Sequence, residues 1–147
     1  ALYGVPPVDG FGARLRPVMS VLTQIMHIRH LAPGDGVSYG GTFVAARETR
    51  LAVLPVGYAD GLSPQLANQG AVLIRGRRAP IVGTICMDMC MVDITDVSGA
   101  VVGDDVVLLG SQGEESITVP ELASIHRSAP HEVLTSVSRR VPRFYIR

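Results

Sequence analysis

Short apolar runs separated by glycine, proline and asparagine dominate the middle of the chain. Between residues 51 and 94 these runs follow one another at close spacing: LAVLPVGY, AVLIR, APIVG and ICMDMCMVDI. Closely spaced apolar runs bounded by turn-forming residues are typical of β-strands. The pattern therefore predicts an all-β body.

Turn signals around these runs support the same interpretation. The turn at residues 34–37 (GDGV) has a near copy at 103–106 (GDDV), and each introduces a predicted apolar strand, VSYGGTFV in one case and VVLLG in the other. Gly-Asp turns that launch short strands recur in small β-barrels and sandwiches. The segment 75–78 (RGRR) lies where a hairpin turn is expected, with the glycine supplying a positive φ. Upstream, residues 18–31 predict a strand with a bend, and a helix is the alternative.

Helical signals occur only late in the chain. Thr118-Val119-Pro120-Glu121 is a capping-box pattern and predicts a short helix to about His126. Residues 128–132 (SAPHE) predict a second helix that starts at Ser128 in the same way, and the tail RFYIR predicts a closing strand. The predicted fold class is mainly β: a small β-barrel-like domain with one or two short helices near the C-terminus.

Composition narrows the classes of partner. The chain has 147 residues and a formal net charge of zero, which fits one domain and gives no electrostatic basis for binding nucleic acid. No apolar run approaches the ~20 residues of a membrane span, so no membrane partner is expected.

Cys86 and Cys90 would lie ~13 Å apart on an extended strand, too far for a disulfide. Free thiols favour a reducing compartment, and a cytoplasmic protein is expected.

One tyrosine is placed unusually for a core residue. Tyr39 lies between a serine and two glycines at the predicted start of a strand, although a half-buried strand tyrosine is the simpler alternative. No metal site is predicted, since His27 and His30 would face opposite sides of a strand without a carboxylate or thiol beside them. All thirteen basic residues other than histidine are arginines, so this chain has no lysine to anchor a Schiff-base cofactor.

Three segments, in this order, closely resemble the C-terminal domain of alanine racemases: VSYGGT, VGYADG and VGTICMDMCMVD. The flanking Leu2-Tyr3-Gly4, Arg16-Pro17 and Arg140-Val141-Pro142-Arg143 extend the resemblance along the whole chain. Alanine racemases are pyridoxal-phosphate-dependent isomerases that interconvert L-alanine and D-alanine for peptidoglycan of the cell wall. The resemblance therefore implies the C-terminal domain of such an enzyme.

The resemblance also implies a domain arrangement. Residues 1–15 would be the lead-in from an absent N-terminal (β/α)8 barrel, and residues 16–147 the C-terminal β domain. In the family the barrel holds pyridoxal 5'-phosphate on a lysine, and the β domain of the second subunit of a head-to-tail homodimer completes the site for a small amino-acid substrate. This chain alone would then be inactive.

Roles for individual residues follow from the same resemblance. Tyr39 matches the catalytic tyrosine that serves as the second base, and Met87 matches the residue whose backbone N–H binds the substrate carboxylate. Tyr58 and Asp88 match the lining of the substrate entrance channel. His131 stands where the family often has a tyrosine near the cofactor phosphate, which makes it a candidate cofactor-binding residue.

Two further positions depart from the family pattern. Thr84 stands where an entrance-channel arginine is common, and Pro64 or Gln65 occupies the place of another. A channel with fewer arginines leaves a racemase of broader specificity, or one that prefers serine, as the alternative. Two other hypotheses remain. One is a non-catalytic β-barrel binding module that uses the 75–78 turn and the C-terminal arginines, and the other is a dimerisation domain that has lost the chemistry.

Overall fold

The computed structural model describes residues 15–146. Ten strands and two helices lie within them. The strands are β1 Val21–Gln24, β2 His27–Leu31, β3 Gly36–Val37, β4 Phe43–Val44, β5 Thr49–Leu54, β6 Ala71–Ile74, β7 Arg77–Pro80, β8 Cys90–Asp93, β9 Asp105–Gln112 and β10 Glu115–Ile117. The helices are α1 Val119–His126 and α2 Pro130–Ser136, and 3₁₀ turns occupy Tyr39–Gly41, Tyr58–Asp60 and Pro64–Leu66.

The strands form three antiparallel sheets. A five-stranded sheet has the order β1-β9-β6-β7 with β10 also paired to β9, a three-stranded sheet has the order β2-β5-β8, and β3 pairs with β4. A single bridge between Ile81 and Val92 connects the end of β7 to β8. Within residues 15–146 the pairing does not close into a barrel. The mainly β fold with two short late helices is confirmed, although the sheets remain open.

Apolar side chains from both larger sheets and both helices form the main core. The largest fully buried side chains in it include Leu54, Leu73, Ile74, Ile81 and Ile94. A smaller cluster packs separately beside β3 and β4, and its buried members are Leu31, Val37, Ala45, Leu51, Val82 and Met91. This smaller cluster supports the segment that contains Tyr39.

The two helices begin differently. Thr118 caps α1 as predicted, since its hydroxyl accepts the backbone N–H of Glu121 at 3.3 Å, and the helix ends where Arg127 adopts a left-handed conformation. Helix α2 begins after Ala129 with Pro130 in its first turn and no side-chain cap. The prediction that Ser128 starts it in the same way as Thr118 is therefore wrong, because the Ser128 hydroxyl is buried without a partner in the described part of the chain.

Several local predictions can be compared with the structure. The bent strand over residues 18–31 is two strands, β1 and β2, and the hairpin turn at 75–78 is confirmed, with both Arg75 and Gly76 at positive φ. The closing strand in the tail is wrong: residues 142–146 have no strand partner among those described, and Phe144, Tyr145 and Ile146 are almost fully exposed. The lead-in predicted for residues 1–15 lies almost entirely outside the described residues.

Candidate functional site

The Tyr39 segment is a turn between the two-residue strands β3 and β4. Its backbone has positive φ at Ser38 (63°), Gly40 (76°) and Gly41 (55°), which no continuous strand allows. The prediction of one strand over VSYGGTFV is therefore wrong. The Tyr39 side chain is 76% exposed, so the turn presents the phenol to the surface instead of the core.

This turn rests on the segment 83–86. The Ser38 hydroxyl donates to the Thr84 carbonyl at 2.7 Å and lies 3.5 Å from the Cys86 thiol. The Thr84 hydroxyl donates in turn to the Tyr39 carbonyl at 2.9 Å. The first and third of the motifs found in the sequence are thus in direct contact.

The second motif joins the third through backbone hydrogen bonds. The Tyr58 N–H donates to the Cys86 carbonyl, and the Ala59 N–H donates to the Met87 carbonyl, both at 3.0 Å. The preceding Gly57 lies so close that a β-carbon there would overlap the carbonyl oxygens of Cys86 and Met87. Only glycine allows this approach of two backbones.

Met87 combines an exposed side chain with an available backbone donor. Its side chain is 53% exposed, and its carbonyl is used by Ala59. Within residues 15–146, the Met87 N–H donates to no other backbone group. An exposed N–H without a protein acceptor can bind a ligand oxygen.

Arg140 connects two carboxylates beside Met87. Its guanidinium donates from Nε to Asp60 Oδ1 at 2.7 Å and from Nη2 to Asp88 Oδ1 at 2.5 Å. Asp60 Oδ2 accepts the Gly57 N–H at 2.9 Å. The Arg140 hydrogen bond lowers the pKa of Asp60, and the two carboxylates raise the pKa of Arg140. Asp60 and Asp88 are therefore parts of one ion-pair network.

Arg140 is the functional candidate that sequence reasoning missed. From the sequence it belongs to the RVPR flank of the resemblance and to the C-terminal arginines of the binding-module hypothesis, with no role in the racemase site. The sequence around Arg140 does not indicate that it reaches the loops at residues 60 and 88. That contact depends on how the tail crosses the domain. The tail is fixed there by the Ser138 N–H, which donates to the Asp60 carbonyl at 3.0 Å.

His131 is separate from this group. It is exposed on the first turn of α2, and its carbonyl accepts the Thr135 hydroxyl of the same helix. No hydrogen bond in the described part of the chain connects it to Tyr39, Tyr58 or Met87. Helix α2 itself contacts the second motif, since the Ser136 hydroxyl donates to the Gly61 carbonyl at 3.2 Å.

The two cysteines are free thiols, as predicted, but the reason given was wrong. Cys86 lies outside β8, in a turn where its N–H donates to the Met89 carbonyl at 2.9 Å, so the segment from Cys86 to Cys90 is not extended. Burial raises the pKa of the Cys90 thiol to about 12, with a smaller contribution from Cys86.

Metal-ligand clusters, the basic 75–78 turn and helix length bear on other kinds of binding. Within the described residues no cluster of three or more histidines, cysteines or carboxylates could hold a metal ion. Two arginines of the 75–78 turn are paired with acids: Arg75 with Asp104, and Arg78 with Glu115 and Glu121. Of the helices described, none has the length and apolarity that a membrane crossing requires.

Tyr39 and Met87 lie on open surface and not in a cavity. One cavity of about 260 Å³ lies between β1, β9 and the helices, and Arg140 contributes to its wall. Another of about 260 Å³ is lined by Tyr58, Pro64 and Gln65 among others. Neither has Tyr39 or Met87 in its lining. Tyr39, Met87 and Tyr58 are therefore exposed on segments that are in contact with one another, and Tyr58 is half exposed.

Known proteins share this fold and much of this sequence. Residues 18–145 match the family described as alanine racemase, C-terminal domain. Alanine racemase of Sorangium cellulosum is 50% identical, and the match covers 99% of this chain but 39% of that protein. The Bacillus anthracis alanine racemase structure matches with a TM-score of 0.94 and 36% identity over 100% of this chain and 38% of that one.

A further structure describes a bound cofactor. Alanine racemase from Bartonella henselae, solved with covalently bound pyridoxal phosphate, matches with a TM-score of 0.92 and 37% identity over 99% of this chain and 40% of that one. The chain thus spans about two fifths of the length of these relatives. By sequence and by fold, the chain belongs to the alanine racemase C-terminal domain family.

Proposed function

We propose that this chain is the part of a pyridoxal-phosphate-dependent alanine racemase that supplies one catalytic base and the substrate-carboxylate contact. The observation that best supports this function is the convergence of three separate loops. The 38–42 turn and the 57–61 turn are each hydrogen-bonded to the 83–89 segment, and Tyr39, Tyr58 and Met87 are exposed on these three segments. Exposed large apolar side chains grouped in this way usually mark a binding surface.

Tyr39 is proposed as the base on one face of the substrate α-carbon. Racemisation removes a proton from one face and returns one to the other, so two groups on opposite sides are needed. A phenol ordinarily titrates near pH 10, and positive charge close to it favours the phenolate. In the described part of the chain the hydrogen bonds of the arginine side chains go to groups other than the Tyr39 hydroxyl, so that charge is expected from another domain.

Met87 is proposed to bind the substrate carboxylate through its backbone N–H. Both neighbouring carbonyls, of Cys86 and Met87, are already held by the 57–61 turn, which fixes the peptide planes around this donor. Tyr58 and Asp88 flank the same segment and are proposed to line the entrance channel. Arg140 neutralises part of the negative charge that Asp88 would otherwise place beside an anionic substrate.

The cofactor does not fit this chain alone. This chain has no lysine, so pyridoxal phosphate is expected on the lysine of an N-terminal barrel domain. The greater length of the relatives leaves room for such a domain. When bound, the cofactor delocalises the negative charge that develops on the substrate α-carbon. His131 remains a proposed contact near the cofactor phosphate. We expect residues 1–147 by themselves to have no racemase activity.

The partner of the exposed face is proposed to be the barrel of a second subunit in a homodimer. Tyr39 and Met87 lie on open surface, and a site that must exclude water needs a covering element.

The free thiols of Cys86 and Cys90 favour a cytoplasmic enzyme.

A racemase of broader specificity, or one that prefers serine, is the second candidate. Thr84 stands in place of a common channel arginine, and its hydroxyl is hydrogen-bonded to the Tyr39 turn. This position of Thr84 favours the second candidate. Pockets that differ by one small group discriminate by only about 1–3 kcal/mol. The ratio of kcat/KM for L-alanine and L-serine distinguishes the two candidates.

Exchange of the α-proton tests the proposed base. In the full-length holoenzyme, Tyr39→Phe is expected to abolish exchange of the Cα proton of L-alanine in D2O while the cofactor absorbance is retained. Tyr145→Phe, which alters an exposed tyrosine of the tail, is the matched control and should exchange normally. Normal exchange by Tyr39→Phe would refute the role of Tyr39.

A further inference from the structure

The residue before Tyr39 has an unfavourable backbone conformation. Ser38 adopts φ 63° and ψ −173°, a region that residues other than glycine seldom occupy. Such a conformation persists only where surrounding contacts enforce it. The contacts that enforce it therefore also determine where the Tyr39 ring lies.

Thr84 makes contacts on both sides of the Ser38–Tyr39 peptide. Its carbonyl accepts the Ser38 hydroxyl at 2.7 Å, and its own hydroxyl donates to the Tyr39 carbonyl at 2.9 Å. One residue thus holds the side chain of Ser38 and the main chain of Tyr39 together. Both bonds join segments more than forty residues apart in sequence.

Two more neutral side chains support Thr84. Because the single hydroxyl proton of Thr84 goes to the Tyr39 carbonyl, Thr42 must donate in the 3.3 Å contact between the two threonine hydroxyls. Asn68 Nδ2 donates to Thr42 Oγ1 at 3.4 Å, while Asn68 Oδ1 accepts the Gly83 N–H at 2.7 Å. The hydrogen bonds run in one direction, from Asn68 through Thr42 and Thr84 to Tyr39.

We infer that Thr84 is a positioning residue that fixes the catalytic Tyr39 through an uncharged hydrogen-bond chain, with Thr42 and Asn68 as its supports. The inference rests on the proposed role of Tyr39 as a base. A threonine here gives the turn a fixed geometry without placing a positive charge beside it. Misplacement of a reacting group lowers the rate of the chemical step more than the affinity for substrate.

The test compares two substitutions in the full-length holoenzyme. Thr84→Val keeps the shape and the backbone carbonyl but removes the hydroxyl, whereas Thr84→Ser keeps the hydroxyl. Thr84→Val is expected to lower kcat and the exchange of the L-alanine Cα proton by about tenfold, with KM for L-alanine nearly unchanged. Thr84→Ser is expected to recover most of that rate. Thr135→Val, which removes a hydroxyl that bonds only within α2, is the control.

Each outcome separates this inference from the proposed function. Wild-type exchange by Thr84→Val, or an equal loss in Thr84→Ser, would overturn the role of the Thr84 hydroxyl. An equal loss of exchange with L-alanine and D-alanine, accompanied by a raised KM, would also overturn it, because a general structural defect has that signature. If Tyr39→Phe exchanges normally, the proposed base itself fails, whatever Thr84→Val does.

Discussion

The core of the domain and its exposed site are built by different interactions. In the core, alternating or continuous apolar residues place side chains such as Leu73 and Ile74 in full burial between sheets. In the site, three turns are joined by backbone carbonyls, one close glycine approach and a few polar side chains. We therefore expect stability and the proposed substrate binding to depend on separate sets of residues. Substitutions in the two regions should therefore change different measurements.

The largest effect on stability is expected from truncation of a core side chain. Leu73→Ala removes most of a fully buried side chain, and such changes lower the free energy of unfolding by about 2–5 kcal/mol. Denaturant unfolding of the full-length enzyme measures this loss, and KM of the remaining folded enzyme should stay near the wild-type value. A raised KM with unchanged stability would contradict the separation of the two regions.

Gly57→Ala should disturb the site more than the core. The new β-carbon would overlap the carbonyls of Cys86 and Met87, so the 86–88 segment must move. Overpacking of this kind costs about 1–3 kcal/mol, less than the core truncation, yet it displaces the Met87 N–H. A marked rise in KM for L-alanine is expected in steady-state assays. Gly113→Ala, in the turn between β9 and β10, is the control, and an equal rise there would argue against a local cause.

Removal of the Arg140 charge should have a smaller effect. Arg140→Gln leaves Asp88 without its cation beside the proposed carboxylate contact, and an ion pair this exposed contributes little because water screens it. KM for L-alanine should rise about twofold to fivefold, more at low salt than at high salt. Arg139→Gln alters the neighbouring exposed arginine and is the matched control. An equal change in KM for both variants would indicate a general charge effect.

Acid should weaken the domain slightly through its paired carboxylates. Hydrogen bonds from Arg140 and from Arg78 lower the pKa values of Asp60 and Glu121 below their ordinary values of 3.8 and 4.5. A depressed pKa in the folded state adds stability above the ordinary pKa, and this stability is lost as the pH falls through the folded value. The free energy of unfolding, measured from pH 6 down to about pH 2, should begin to decline near these ordinary pKa values. The decline should be smaller in Arg140→Gln. An unchanged decline in that variant would exclude the Asp60 pair as a contributor.

The sequence allowed the strands to be predicted better than the site. Apolar periodicity reports burial directly, so β5, β6 and the hairpin at Arg75 and Gly76 were predicted near their true places. The sequence predicts a strand where the structure has the Tyr39 turn, because periodicity does not register the positive φ of Ser38. Burial of individual loops also depends on contacts distant in sequence.

The site residues show the same limit. Tyr39, Met87, Tyr58 and Asp88 were nominated by resemblance, and the structure groups their segments through hydrogen bonds that periodicity does not encode. Arg140 was missed because its contacts to Asp60 and Asp88 span 80 and 52 residues of sequence. The proposed roles of Tyr39, Met87, Tyr58 and Asp88 stay predictions.

A mixed dimer tests most directly the claim that this domain completes a site on another subunit. One full-length subunit would have Tyr39→Phe, and the other would have the cofactor lysine of its barrel replaced by alanine. If the site is shared, the purified heterodimer has one intact pair of bases, and we expect about half of the wild-type specific activity. Each mutant homodimer should be inactive. An inactive heterodimer whose lysine-containing barrel still holds cofactor would contradict the shared site, because it would place both bases in the same subunit.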